Sequence, residues 1–486
     1  MSGVSSVIFF KSKHVQQLGA RWMPFADAAS EGLTLPQLLR LGLFQVSVGM
    51  AAVLLLGTLN RVMIVELGVP ASIVALMIAL PVVSAPFRAL LGHKSDNHKS
   101  WIGWKRVPYL WFGSLWQMGG LAIMPFALIV LSGDQVHGPE WAGKALAGVA
   151  FLMTGVGMHM TQTAGLALAS DRATDETRPR VVAMLYVMFL LGMAVSAVIL
   201  GLLLRHFDEI RLIRVVQGCG VATILLNLTA LWKQEKVRPM NAEEMARSTP
   251  IFHEGWRDLM AGGHAGRLLL VVMLGTMAFQ MQDVLLEPYG AEILGLSVGS
   301  TTWLTACNAM GALVGFVLAG RWMSNGQDMF RMSARGLLVG VVAFLMVIFA
   351  APLHSTVMFY IGAWSIGLGA GLFAVATLTA AMSLPEQGVA GRGLVLGAWG
   401  AAQATAAGLS IAVGGGLRDS VGAYALQGGF GPVFAAPAFG YSVVYMIEIV
   451  VLFVTLIALA PLVRVALFTA QSKADTARLG LVDFPN

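Results

Sequence analysis

Apolar residues in this chain run in long, nearly unbroken stretches, without the one-sided or alternating patterns of a water-soluble fold. A bilayer core takes about 20 predominantly apolar residues per helix. Twelve stretches meet that length, at 38–60, 70–91, 107–131, 144–169, 180–204, 213–232, 268–290, 297–319, 334–352, 356–382, 393–416 and 441–463. Prolines inside them, such as Pro81 and Pro86 in the second and Pro125 in the third, suit membrane helices, where neighbouring groups re-satisfy the backbone. The longest charged interval, 233–267, follows the sixth stretch. The pattern therefore predicts an all-α integral membrane protein of twelve transmembrane helices, with one six-helix bundle over 36–232, a cytoplasmic linker over 233–267 and a second bundle over 268–464. The apolar run Val7–Phe10 is stopped at once by Lys11 and Lys13, so residues 1–35 read as a retained cytoplasmic tail, not a cleaved signal peptide. Residues 465–486 read as a second tail.

Composition agrees with lipid as the main solvent. The 486 residues are 57% hydrophobic and 12% charged, about half the charged fraction of a soluble chain, and the mean hydropathy is +0.76. The net charge of +6 does not imply nucleic acid, because the basic residues sit in short loops and form no continuous patch. Of the 31 Lys and Arg, only Arg61, Lys144, Arg205, Arg211, Arg214 and Arg418 fall in odd-numbered loops; the other 25 lie in the tails, the even-numbered loops and the adjoining helix ends. The positive-inside rule then puts both termini in the cytoplasm. Cys219 and Cys307 fall in different apolar stretches and read as small hydrophobic residues. The sequence has no zinc or iron–sulfur spacing, Asp-rich diphosphate motif or nucleotide loop, so a non-enzymatic role is expected.

The two halves match each other. Gly155-Val-Gly157 and Arg180 recur 212 residues on as Gly367-Leu-Gly369 and Arg392, and Gly92 and Gly320 each close a helix ahead of a basic loop. Parallel six-helix repeats describe the major facilitator architecture. The segment from Gly92 through Asp96 and Gly103 to Lys105-Arg106 partly resembles that superfamily's signature between its second and third helices, with a longer loop. Its logic is a tight turn with an acid–base latch across helix ends; an ordinary positive-inside loop would read the same way.

Ionisable groups inside apolar stretches are candidates for function. The seventh stretch is the richest, with Gln282, Asp283 and Glu287 ahead of Pro288 and Gly290. The four-residue spacing places both carboxylates on one helix face about a turn apart, either as a proton or ligand site or as a wetted helix end. His159 lies mid-helix beside Gln162 and Thr163; it is either an imidazole hydrogen-bonded within its helix, as to Thr163, or a ligand for a metal or a tetrapyrrole magnesium. Glu448 is isolated in the twelfth stretch, and Arg88, near the end of the second, is expected to reach the headgroups. Gly311-xxx-Gly315 and Gly367-xxx-Gly371 allow close helix approach. Few polar side chains remain to recognise a sugar, peptide or nucleotide, and 27 methionines suit an adaptable apolar surface, which points to hydrophobic cargo or a hydrophobic protein partner.

Several strings are more specific. Met23-Pro-Phe-Ala-Asp27-Ala-Ala-Ser30, Gly57-Thr-Leu-Asn60-Arg61-Val-Met-Ile-Val-Glu66, Gly103-Trp-Lys-Arg-Val-Pro-Tyr109, Ala169-Ser-Asp171-Arg172 and Gln282-Asp283-Val-Leu-Leu-Glu287-Pro-Tyr-Gly290 resemble the PucC/LhaA proteins. These form the bacteriochlorophyll-delivery branch of the major facilitator superfamily in purple phototrophic bacteria, and the likeness runs from about residue 22 to about 465. The resemblance implies a factor in the intracytoplasmic photosynthetic membrane that assembles light-harvesting antenna complexes. Its cargo or bound ligand would be bacteriochlorophyll, and its partners the antenna α and β polypeptides, with chlorophyll synthase and other assembly factors nearby. On that reading His159 is the candidate magnesium ligand, Asn60, Arg61 and Glu66 mark the outer end of the first helix, and Asp283 and Glu287 the outer half of the seventh. The competing reading is a proton-coupled facilitator of a small solute, with Asp283 or Glu287 titrating.

Overall fold

A computed structural model describes residues 34–479, apart from 61, 64–70, 132–140, 205–207, 236, 238, 247–248, 262, 297 and 385–389. The N-terminal tail, Arg61 and Glu66 therefore lie outside the described residues, as does the last stretch of the C-terminal tail. Among the described residues, twelve helices are long and apolar enough to cross a membrane. They are span 1 (Leu35–Leu59), span 2 (Leu76–Asp96), span 3 (Val107–Val130), span 4 (Trp141–Arg172), span 5 (Arg178–Leu203), span 6 (Glu209–Leu231), span 7 (His264–Glu292), span 8 (Leu304–Ser324), span 9 (Met329–Ala350), span 10 (Thr356–Ser383), span 11 (Arg392–Leu426) and span 12 (Pro437–Val463). Spans 4 and 11, with 32 and 35 residues, overrun the apolar core at their ends, because helical hydrogen bonding continues past the point where hydropathy falls.

The chain divides into two compact units. The first comprises residues 1–255 together with 389–400, and the second 256–388 together with 401–486. The opening turns of span 11 thus belong with spans 1 to 6, although the sequence groups them with the second half.

Proline and glycine shape the first unit. Pro81 and Pro86 split span 2 into Ala71–Val83 and Phe87–Asp96, with turns at Ser84–Pro86. Proline has no N–H, so regular helical bonding fails there; the Pro81 carbonyl instead accepts from Ser84 N at 3.1 Å and Ser84 Oγ at 2.6 Å. A Cβ on Gly92 would fall on the Gly393 carbonyl, so the end of span 2 and the start of span 11 touch backbone to backbone.

In the second unit, Gly311 of span 8 approaches the Trp364 carbonyl and Gly367 of span 10 approaches the Asn308 carbonyl, which is the close packing that small residues permit. Span 7 is broken. Its α-helix ends at Gln280, a 3-10 turn covers Met281–Val284, and a short helix resumes over Leu286–Glu292. Asp283 and Glu287 are therefore not successive turns of one helix face. The four-residue rule assumes unbroken α-helix, and here the geometry changes between the two residues. The linker interval also carries structure, with helices at Ala242–Ala246 and Phe252–Ala261. Both cysteines are free thiols.

Candidate functional site

Three polar clusters stand out against the apolar packing, two in the first unit and one in the second.

The first gathers where span 2 meets span 11. Asp96 accepts from the backbone amides of Gly393 and Leu394, both at 2.8 Å, so it caps the positive N-terminal end of span 11. It also pairs with the Arg106 guanidinium. Arg106 reaches Asp171 at 3.0 Å through Nε and Ser95 Oγ at 2.6 Å through Nη1. Burial alone would lower the Arg106 pKa; the carboxylates of Asp171 and Asp96 outweigh it and hold the guanidinium above its ordinary value, so it stays charged. Arg392 stands 4.0 Å from Asp171 and donates to the Ser170 carbonyl at 3.3 Å. Glu235 accepts from the amides of Lys105, Arg106 and Val107 at 3.0–3.1 Å, capping span 3. Gly103 supplies the turn with φ of +82°, a conformation costly to residues with a Cβ, whereas Lys105 contributes its backbone and keeps an exposed side chain. Of the proposed latch residues, Asp96 and Arg106 pair directly, and Gly92 packs on Gly393, whose amide Asp96 binds. Asp171, Glu235 and Arg392 complete the cluster. The sequence signal for Asp171 and Arg392 was an acid or base at the basic end of a span, which does not reveal that they meet.

The second cluster lies inside the first unit. Arg88 is 2% exposed and does not reach headgroups. Its Nε donates to Thr163 Oγ1 at 3.1 Å and its Nη2 to Gln162 Oε1 at 3.0 Å, while Gln162 Nε2 contacts Gln45 Oε1 at 3.4 Å. A Cβ on Gly400 would overlap the guanidinium, so this side chain fills space that glycine leaves open. The snorkelling expectation failed because the side chain turns inward, where span 4 offers two oxygen acceptors. His159 donates from Nε2 to the Pro81 carbonyl at 3.1 Å; Thr163, its expected partner, is taken by Arg88. A carbonyl only accepts, so Nε2 carries the proton and Nδ1 is the nitrogen left with a lone pair for a metal such as magnesium. The proline break in span 2 thus sets the tautomer of a residue 78 positions away. Asn60 ends the π-helical segment Leu54–Leu59 of span 1 and is half-buried. Beside span 5, a largely apolar groove of about 650 Å³ is lined by Met50, Leu200, Val215 and Cys219, with Arg211 and Arg214 also in its wall.

The third cluster is in the second unit, at the break in span 7. Gln282 Nε2 donates to Asp283 Oδ1 at 2.5 Å. Glu448 of span 12 is fully buried, with Asp283 in electrostatic range, and neither of its carboxylate oxygens has a hydrogen-bond partner. Glu287 is exposed and accepts from Thr305 Oγ1 of span 8. Nearer the helix ends, Arg418 bonds Glu292 at 2.6 Å and Tyr441 Oη at 2.7 Å, with its guanidinium carbon 4.6 Å from the centre of the Tyr441 ring. Tyr289, Phe359, Tyr441 and Tyr445 pack as tilted and edge-to-face rings between this ion pair and Glu448. Among the described residues no group of three or more His, Cys, Asp or Glu forms a metal-binding cluster.

The fold and sequence both have relatives. A bacterial homologue of the iron transporter ferroportin, crystallised in an outward-facing state, superposes with a TM-score of 0.67 over 87% of this chain and 98% of that one, at 13% identity. That likeness shows the major facilitator fold alone. A Rhodobacter capsulatus protein described as uncharacterised and located in the puhA-bchM intergenic region is 63% identical over 97% of this chain and 98% of its own length. Protein PucC of Rhodovulum sulfidophilum is 54% identical over 84% of this chain and 90% of its own. The family described as PUCC protein matches residues 58–467. A multi-pass membrane protein with the major facilitator fold, this chain belongs to the PucC family.

Proposed function

We propose that the protein is a non-enzymatic assembly factor for the light-harvesting antenna of a purple phototrophic bacterium. It acts in the intracytoplasmic membrane, delivering bacteriochlorophyll or holding the antenna polypeptides while pigment is loaded. Membership of the PucC family is the observation that carries this reading. The interior supports it: the buried Arg88 of the first unit is already held by side chains of span 4, and the groove beside span 5 is mainly apolar, which suits an amphiphile with a long hydrocarbon tail better than a sugar or nucleotide. His159 contributes through Nδ1, the nitrogen not engaged with Pro81, as a ligand for the pigment magnesium.

Deletion of the gene tests the proposal. Antenna absorption in the near infrared is expected to fall while unrelated membrane proteins keep their levels, and unchanged antenna would overturn it. Purification in mild detergent from the phototrophic host separates the two modes. Bound pigment that is lost in His159→Ala places loading at span 4. Antenna polypeptides without pigment mean that the protein chaperones the apoproteins. A purified protein carrying neither, with pH-driven uptake of a small solute in proteoliposomes, would favour the facilitator reading.

A further inference from the structure

Where the break in span 7 packs on span 12, in the second unit, each helix brings a carboxylate, Asp283 and Glu448, within electrostatic range of the other, and the groups around them are nearly all acceptors. The Glu292–Tyr441 hydrogen bond, 2.9 Å, brings spans 7 and 12 level near one end. Asp283 lies nine residues before Glu292 and Glu448 seven residues after Tyr441, so at 1.5 Å per residue both carboxylates sit roughly 10–14 Å deeper along their helices. A lone ionised carboxylate at such depth costs several kcal/mol unless something positive neutralises it.

Among the described residues, the surroundings supply no such charge. Glu448 is 0% exposed, and both of its oxygens lack a donor. The backbone amide of Gln282 comes near without reaching hydrogen-bond geometry. Gln282 is 2% exposed; its NH₂ group is committed to Asp283 and to the Phe279 carbonyl, which leaves Oε1 buried without a partner. Tyr445 Oη, also buried and unpartnered, is the nearby hydroxyl. Facing Glu448 are Asp283 from span 7 and Tyr445 from its own helix, with Tyr289 and Tyr441 in the adjoining ring cluster. Span 9 also packs on span 12, but its ionisable residues Arg331 and Arg335 are in its first two turns, at the other end. The helix break at 281–284 further takes backbone out of regular α-helical pairing beside the two carboxylates. Broken helices with carboxylates and unwound backbone are how membrane proteins hold small cations. Asp283 is itself exposed, so one carboxylate of the pair can be reached from outside the packed interior.

We propose that Asp283 and Glu448, with Gln282 between them, form an intramembrane site for one small monovalent cation, either a proton or a sodium ion. Gln282 Nε2 orients Asp283, and its Oε1 and the Glu448 oxygens supply the acceptors that the cation satisfies. The site is distinct from the cationic network at Arg88 and from His159, and it requires no pigment.

The test uses the purified full-length protein in mild detergent, reading the thermal unfolding midpoint. One arm titrates sodium chloride against choline chloride at fixed pH and ionic strength; the other lowers pH in choline alone. In the wild type the midpoint is expected to rise saturably in one arm, which identifies the cation by mass action on the folded state. Glu448→Gln should be flat in that arm and start at or above the midpoint of the loaded wild type, since a neutral amide needs no counter-charge. Asp283→Asn should still respond, with the half-point moved about tenfold to higher cation concentration. A wild type flat in both arms would overturn the proposal, and so would a Glu448→Gln response equal to that of the wild type. Should Glu448→Gln fail to fold, an Asp283→Asn half-point matching the wild type would overturn it on its own.

Discussion

At the scale of single residues, the structure separates positions of similar appearance by what a new atom would meet. Gly92 and Gly201 are both glycines in membrane helices. A Cβ on Gly92 would overlap the Gly393 carbonyl, whereas nothing lies within 4 Å of one on Gly201. Gly92→Ala is therefore expected to destabilise the protein by about 1–3 kcal/mol through overpacking. Gly201→Ala should be neutral or slightly stabilising, and thermal unfolding in detergent compares the two directly. Arg88 offers a similar contrast. Its two hydrogen bonds leave from different nitrogens of one planar fork, toward Thr163 and Gln162. Lysine keeps the charge but cannot reproduce the fork. Arg88→Lys is expected to lose about 1.5–3 kcal/mol, the usual size for hydrogen bonds to a charged group. Equal stability of Arg88→Lys and wild type would show that charge alone matters there.

At the scale of elements, helix ends and helix breaks carry most of the organised polarity. Asp96 serves the start of span 11 with two amide bonds and also holds Arg106. Asp96→Asn is expected to lower stability by about 1–3 kcal/mol, since an amide oxygen is a weaker and uncharged acceptor at a helix N-terminus. Lys105→Ala, one residue from Arg106 but with its side chain exposed, should change stability by less than about 0.5 kcal/mol. Long apolar runs made all twelve spans legible in the sequence, because bilayer thickness sets their length. The break in span 7 was not legible. Its Gln-Met-Gln-Asp string contains neither proline nor glycine, and Pro288 comes seven residues after Met281, where the 3-10 turn begins. The inward turn of Arg88 escaped for another reason. Snorkelling and burial use the same residue near the same helix end, and the acceptors that decide between them come from a helix 74 residues away.

At the scale of the whole chain, the imbalance of basic residues gives a directional prediction. With only 6 of 31 Lys and Arg assigned to the odd-numbered loops, a reporter active only in the cytoplasm should work when fused to the C-terminus and fail in those loops. Family and fold were readable from long strings and from the six-plus-six pattern. Membership of residues 389–400 in the first unit was not, because it rests on glycine contacts and on backbone amides that have no signature in hydropathy. That membership bears on the order of events during synthesis. Asp96 waits for amides that lie 297 and 298 positions later in the chain. At about 5–20 residues per second, that wait is roughly 15–60 s of translation. During that interval spans 3 to 10 are made while the first unit still lacks its closing turn, and the Gly92 seam is open to whatever the membrane's insertion machinery places beside it.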